Sequence, residues 1–251
     1  MIKNKILTIV LLSALVGCGA MNKKKLAISD SQLYERGVNE VKSGDYRSAA
    51  KTLTQLENEY PASTRYADTL ILKAYSLYSE EQYTDAILTI EDFLHQFPMH
   101  KDAAYMYYLK AMSNYNQIMD TGREQDLTIK AGEDFSLLIA LYPHSKYAKD
   151  AKWKLEYIHN VMAGKEMDIG RFYLRTNQPI ASINRFKNVI DNYQTSIFAP
   201  ECLYRLTEVY FTLGVKKEAT KYASVLGHNY PKSMWYKKAH DLLVNHGAKR
   251  K

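Results

Sequence analysis

An aromatic residue followed by proline occurs at Tyr60-Pro61, Phe97-Pro98, Tyr142-Pro143 and Tyr230-Pro231, and an alanine stands eleven residues before each aromatic, at Ala49, Ala86, Ala131 and Ala219. A pattern that returns at such intervals marks a stack of similar units rather than a chain wrapped around one central core. A fifth, degenerate copy has Ala181 twelve residues before Tyr193 and Gln194 in the place of proline. Five residues before the alanines stand Gly44, Glu81, Asp126, Thr176 and Gly214. Proline ends a helix and biases the residue before it away from helical angles. Glycine accepts the left-handed angle that follows a helix C-terminus, and a small alanine lets a second helix come close. Between these markers apolar residues fall at helical spacing, as in Leu53, Leu56 and Tyr60, or Ile87, Ile90 and Leu94. The unit is therefore a helix, a tight turn, a second helix and a stop. One such hairpin cannot bury its apolar face; stacked copies can, and they leave a concave inner surface.

The spacing predicts five helix pairs: 31–43 with 46–59, 63–80 with 83–96, 101–119 with 126–141, 145–175 with 179–192, and 197–213 with 216–228. A last helix over 233–245 caps the array. A longer loop around Asp120-Thr121-Gly122 joins the third pair, Gly164 is a point where the long 145–175 segment could break in two, and Pro179 suits a helix start. The chain has 11 glycines and 6 prolines, too few for a loop-rich all-β fold, and no apolar run long enough to span a bilayer. The unit resembles the tetratricopeptide repeat. Counting back from Gly44 puts Gly37 at the small position of the first helix and Leu33 at the large one; from Glu81 come Ala74 and Leu70, and from Gly214 come Thr207 and Leu203. The fold expected is all-α, a superhelix of about five hairpins with a C-terminal capping helix.

The resemblance also implies which side chains face the groove: Tyr34, Val38 and Val41 in the first pair, Asp68, Ile71, Tyr75 and Tyr78 in the second, and Tyr204, Glu208 and Phe211 in the fifth. Tyrosine is abundant, with 21 copies. Its ring offers large apolar contact at small entropic cost and its hydroxyl satisfies a peptide group, which suits an extended polypeptide. The same rings also fill gaps between stacked helices, and the sequence leaves the two roles open.

The N-terminus carries an address. Lys3 and Lys5 precede an apolar core over residues 6–16, the size of a signal-peptide core. Leu15-Val16-Gly17-Cys18 then resembles the bacterial lipobox. That likeness implies a diacylglyceryl group on the Cys18 thiol, cleavage after Gly17 and acylation of the new amine. Several acyl chains on one residue anchor a protein durably, at about 0.8 kcal/mol per buried methylene. Gly19, where the lipoprotein sorting rule would need aspartate for inner-membrane retention, points to the outer membrane. Residues 19–30, with Lys23-Lys24-Lys25, read as a tether.

Chemistry is sparse. The sequence holds no GxSxG, HExxH, P-loop or dinucleotide fingerprint. Its histidines are scattered, and no metal site or non-covalent cofactor is expected. Cys18 and Cys202 cannot frame a disulfide scaffold, and Cys202 is expected to be a buried, inert thiol. Residues 214–251 hold nine Lys/Arg against Glu218 and Asp241. This basic end suits an acidic partner or an anionic membrane surface. No nucleic-acid motif accompanies it.

Residues 165–190 narrow the family. Lys165-Glu166-Met167-Asp168-Ile169-Gly170-Arg171-Phe172-Tyr173, then Ala181-Ser182-Ile183-Asn184-Arg185 and Val189-Ile190, resemble the signature of the BamD/ComL lipoproteins, as do Tyr142-Pro143-x-Ser145-x-Tyr147 and the lipobox. The resemblance implies a non-enzymatic lipoprotein of the outer-membrane β-barrel assembly machinery, lipid-anchored and facing the periplasm. It implies a C-terminal half, 144–251, that binds the POTRA domain of a BamA-like barrel subunit, with Arg185 a contact. It implies an N-terminal half, 31–143, that receives unfolded outer-membrane proteins through Tyr34, Val38, Asp68, Ile71, Tyr75 and Tyr78. Residues 1–17 are then the signal peptide and 18–30 the lipidated tether, with other assembly lipoproteins as further partners. Gln194 and the basic tail depart from the family's pattern. A tetratricopeptide lipoprotein of the cell-wall or division machinery is the rival reading. A helical lytic transglycosylase would need a catalytic-glutamate motif that the sequence lacks.

Overall fold

A computed structural model describes residues 28–118 and 126–248. Its elements are α1 (Asp30–Ser43), α2 (Tyr46–Glu59), α3 (Tyr66–Ser79), α4 (Tyr83–Gln96), α5 (Ala103–Tyr115), α6 (Asp126–Leu141), α7 (Lys146–Arg175), α8 (Pro179–Asn192), α9 (Ala199–Thr212), α10 (Lys216–Asn229) and α11 (Met234–Ala248). No strand occurs among the described residues. Each helix packs on the next in sequence, and the first helices of the early hairpins also touch directly, α1 on α3, α3 on α5 and α5 on α7, as α9 does on α11. The second helices show no comparable mutual packing. The first helices are therefore the crowded, inner side of a stacked array, and five hairpins with a capping helix are present as the periodicity predicts.

The left-handed turn is where local sequence dictates the hairpin. Gly44 and Gly214 adopt φ of 80° and 78°, and Glu81 and Asn177 adopt 59° and 57° without glycine's freedom. Asn177, not Thr176, is the turn residue of the fourth pair. The register there is one residue later than Ala181 suggests: Ser182, fully buried, takes the alanine position, and Tyr193 lies eleven residues beyond it as in every other copy. The fourth repeat is thus regular, with serine in place of alanine. Asp126 is likewise not a turn residue, because it opens α6. The loop Asp120-Thr121-Gly122 and the lipobox at Cys18 lie outside the described residues.

Each hairpin closes where a small residue of the first helix meets a large one of the second. A methyl group added at Gly37 would lie 2.7 Å from Leu53 Cδ2, and one at Gly170 would collide with the Phe186 ring. Ala74, Ala111 and Thr207 stand at the corresponding places, all fully buried. At the other end of the hairpin the aromatic before the stop turns back. The Tyr60 hydroxyl donates to the Ile28 carbonyl at 2.7 Å, and that of Tyr230 donates to the Gln194 carbonyl at 3.1 Å. The Tyr230 bond ties one turn to the turn before it.

Gly164 does not break α7, which runs for 30 residues against 14 in α3 or α9. The glycine serves approach instead: a methyl group there would lie 3.1 Å from the Phe198 ring. From Tyr60 to the turn at Glu81, and from Tyr193 to the turn at Gly214, the chain takes twenty-one residues; from Tyr142 to Asn177 it takes thirty-five. The segment that holds the first helix of the fourth pair is therefore longer by fourteen residues, about four helical turns. The core divides along it. Ala151 and Ile158 pack with α5 and α6, whereas Ala163 and Met167 pack with α8 to α11.

Gly170→Ala should destabilise the protein by about 1–3 kcal/mol, the usual cost of overpacking a closed core, measured as a lower urea midpoint. Adding Phe186→Leu should restore part of the loss, because it removes the ring that the new methyl group strikes.

Candidate functional site

The inner helices carry the groove, and the repeat gives each lining position a fixed count from the preceding aromatic turn. Eight residues on stand Asp68, Tyr105, Asp150 and Glu201; eleven on, Ile71, Tyr108, Trp153 and Tyr204; fifteen on, Tyr75, Met112, Tyr157 and Glu208. The expected residues of α1 and α3 lie on these first helices, and the contacts of their rings are those of packing between helices. Tyr34 is half-buried, with the Arg65 guanidinium 4.8 Å over its ring. Burial, with Asp68 nearby, raises its pKa. Tyr75 packs edge-on against Tyr46 at 5.6 Å, and Tyr78 against Tyr83 at 5.7 Å. The Tyr78 hydroxyl accepts from Asn116 Nδ2 at 2.8 Å, tying α3 to the end of α5. Val38 and Ile71 are half-buried, and Asp68 is exposed. The three tyrosines are half-buried, and the Tyr78 hydroxyl bond lies at the surface.

Sequence reasoning missed the richest part of this surface. On α5 and the first turns of α7, Tyr108 and Tyr147 stack at 5.0 Å, and Tyr105 lies 5.5 Å from Tyr147. The Tyr108 hydroxyl donates to Asp150 Oδ2 at 2.6 Å, and Lys154 Nζ reaches the same carboxylate at 3.0 Å while sitting 5.5 Å over the Tyr115 ring. Burial raises the Tyr105 and Tyr108 pKa values, Tyr108 also through its bond to Asp150. At Asp150 burial favours the neutral acid, but the Tyr108 hydroxyl and Lys154 outweigh it, and the carboxyl stays below the usual range. The spacing that found Tyr75 would have found Tyr105 and Tyr108. It was hidden because the third turn has no glycine and Asp126 offered a false register.

Beyond α5 the groove changes character. Glu201, on α9 and nearly buried, receives Arg171 Nη2 from α7 at 2.6 Å and Arg205 Nε at 3.4 Å. Arg205 also reaches Glu208 at 2.8 Å, and Glu208 accepts from the Tyr204 hydroxyl at 2.9 Å. Tyr204 stacks on Trp235 of α11 at 5.4 Å. This ladder of paired charges stitches α7, α9 and α11 together along the inner face. Cys202 is fully buried beside Met167, its Sγ 3.2 Å from Sδ, and burial pushes its pKa up.

Arg185 lies on α8, away from the inner face. Its Nη1 is 3.3 Å from both oxygens of Glu166 on α7, and the pair borders a cavity of about 540 Å³ with Tyr173, Asn184 and Asp191. Its side chain is 42% exposed. The guanidinium is thus held by an acid of its own chain and presented at the rim.

A stack of five helical hairpins with a capping helix, its first helices on the inner side, defines a tetratricopeptide-repeat protein. Residues 26–226 match the family model described as YfiO, outer membrane lipoprotein, and the chain belongs to that family. It is 39% identical over 245 residues to the outer membrane protein assembly factor BamD of Rickettsia prowazekii (strain Madrid E), covering 96% of this chain and 98% of the relative. It is 34% identical to the protein of that name from Caulobacter vibrioides (strain ATCC 19089 / CIP 103742 / CB 15), covering 97% and 81%. Among solved structures it is similar to a tetratricopeptide repeat protein from Parabacteroides merdae ATCC 43184, with TM-score 0.42 and 15% identity, covering 87% of this chain and 73% of that one.

Two outcomes test the geometry. Glu201→Gln removes the shared anion from Arg171 and Arg205, which keep Asp168 and Glu208, and should cost about 1–3 kcal/mol, read by urea unfolding. Tyr108→Phe removes a donor to Asp150, so the carboxyl should titrate closer to the ordinary value of about 3.9, read by carboxyl NMR. A depressed folded pKa stabilises above the unfolded value and loses that contribution as the pH falls through the folded one. The Tyr108→Phe protein should therefore show less loss of stability over that acid window.

Proposed function

We propose that this chain is a non-enzymatic scaffold lipoprotein of the outer-membrane β-barrel assembly machinery, anchored by acyl groups on Cys18 and facing the periplasm. The observation that carries the reading is similarity along nearly the whole chain to proteins named outer membrane protein assembly factor BamD. Acyl chains would hold the array at the membrane. The inner surface of the N-terminal half would take unfolded outer-membrane protein segments, with Tyr34, Val38, Asp68, Ile71, Tyr75 and Tyr78 among the contacts. Half-buried rings support that role, because such side chains are already ordered and lose little entropy on binding.

The C-terminal half would dock the POTRA domain of a BamA-like barrel subunit. Arg185, fixed by Glu166 at the edge of a polar cavity, is the candidate contact for an acidic group on that domain. Other assembly lipoproteins would complete the complex.

Purification of the chain from detergent-solubilised outer membrane should recover a BamA-like barrel protein. Arg185→Gln, which keeps an amide donor for Glu166, should lower that recovery at least tenfold while costing no more than about 1 kcal/mol of stability by urea unfolding. Recovery of peptidoglycan-processing enzymes with no barrel protein would replace this reading with a cell-wall role.

A further inference from the structure

The inserted turns of α7 carry two of the counted lining positions, Trp153 and Tyr157, as exposed rings. They begin after the Tyr142-Pro143 stop, and their lining positions are Asp150, Trp153 and Tyr157. Asp150 and Lys154 bind the inner face of α5, and Tyr157 meets the Tyr115 ring edge-on at 6.1 Å. This fixes the stripe toward the same inner surface as Tyr78 and Tyr115. Trp153 is nevertheless 66% exposed and Tyr157 53%. In the other repeats the residues eleven on from the turn, Ile71, Tyr108 and Tyr204, are half-buried against neighbouring helices. The cause is the insertion itself. α8 and α9 pack on the last turns of α7, whereas the turns around Trp153 and Tyr157 pack on α5 and α6, and His159 and Asn160 further along reach the turn after α8.

Exposing a large indole and a phenol side by side leaves apolar area in water worth about 25 cal/mol per Å² once covered, and aromatic pairs of this kind are where binding energy concentrates in interfaces. One turn beyond Tyr157 the stripe runs into a cavity of about 630 Å³ lined by Val161, Gly164, Ile169, Phe172 and Phe198. Phe172 is itself 51% exposed. Val161 stands one helical turn beyond Tyr157, so the platform and the cavity follow one another along α7. Their rim carries both charges, with Lys154 held by Asp150 and Lys165 near Asp168. A strongly charged helix is thereby a poor fit, and an extended chain with alternating apolar and polar side chains is a good one, its apolar residues seated and its backbone open to the rim.

We propose that the inserted turns of α7, through Trp153 and Tyr157, form the main aromatic contact for an extended, unfolded polypeptide, one of whose side chains enters the cavity at Val161 and Phe198. This rests on the proposed client-binding groove and adds to it a site in the middle of the array, on residues outside Tyr34 to Tyr78.

The test uses the full lipidated chain in detergent with Trp235→Phe, so that Trp153 is the single indole. The probe is a synthetic twelve-residue peptide alternating phenylalanine or tyrosine with polar residues, and a glycine-serine peptide is the control. The aromatic peptide should shift Trp153 emission to the blue and protect it from acrylamide at least twofold. Trp153→Ala with Tyr157→Ala, in the chain with Trp235 intact, should weaken peptide binding about tenfold or more, and Trp153→Phe with Tyr157→Phe should restore most of it. Peptide that binds the chain with native affinity after the double alanine change, and leaves Trp153 emission unmoved, overturns the inference while the groove reading stands. No binding of the aromatic peptide to the unaltered chain brings down both.

Discussion

The array depends on one contact made over and over: the two helices of a hairpin approach until a side chain of the second fills the space that a small residue of the first leaves. Gly37 under Leu53 and Gly170 under Phe186 are the tightest cases. Because a helix pair this short has little core of its own, the close approach is what turns each hairpin into a flat unit with two apolar faces, and the faces then bury against the neighbours. The aromatic stop and its hydroxyl bond to an earlier carbonyl set the angle at which the next unit lies. Packing within a unit and pinning between units are separate devices, and the sequence carries a marker for each.

Those markers made most of the fold legible. The ends of α2, α4 and α6 agree with the spacing because proline acts locally, and α8 ends one residue before Tyr193 with Gln194 in the proline place. The fourth repeat was misread by one residue for a physical reason: at a buried site serine is nearly as small as alanine, and asparagine tolerates the left-handed angle almost as glycine does. A reading keyed to Ala and Gly identities sees decay where size and backbone conformation are conserved between copies. Gly164 misled in the opposite sense. Glycine inside a helix reads as a weak point, but here it makes room for Phe198, a residue from a different hairpin whose approach no local pattern reveals.

The site was less legible than the fold. Helical spacing placed Tyr34, Tyr75 and Tyr78 on the inner face, and could not say how far their rings sink between helices. The Tyr108–Asp150–Lys154 group joins residues of two helices some forty positions apart, and the Glu201 ladder joins α7 to α9. Such pairings follow from how units stack, not from what any unit contains. Arg185 shows the same limit, since its tie to Glu166 depends on the crossing of α7 and α8. The exposure of Trp153 follows from helix length alone: a long first helix outruns the second helix that would have neighboured it.

The state of the groove tyrosines has an environmental consequence. Burial first, then nearby carboxylates or tyrosines, moves the hydroxyls of Tyr34, Tyr105 and Tyr108 further from ionisation, while Asp150 holds its charge to lower pH than usual. No histidine occupies any of the counted lining positions. Around neutral pH the hydroxyls of Tyr34, Tyr105 and Tyr108 stay protonated and the Asp150 carboxylate stays charged. That part of the inner face therefore keeps one pattern of charge while the acidity around it changes.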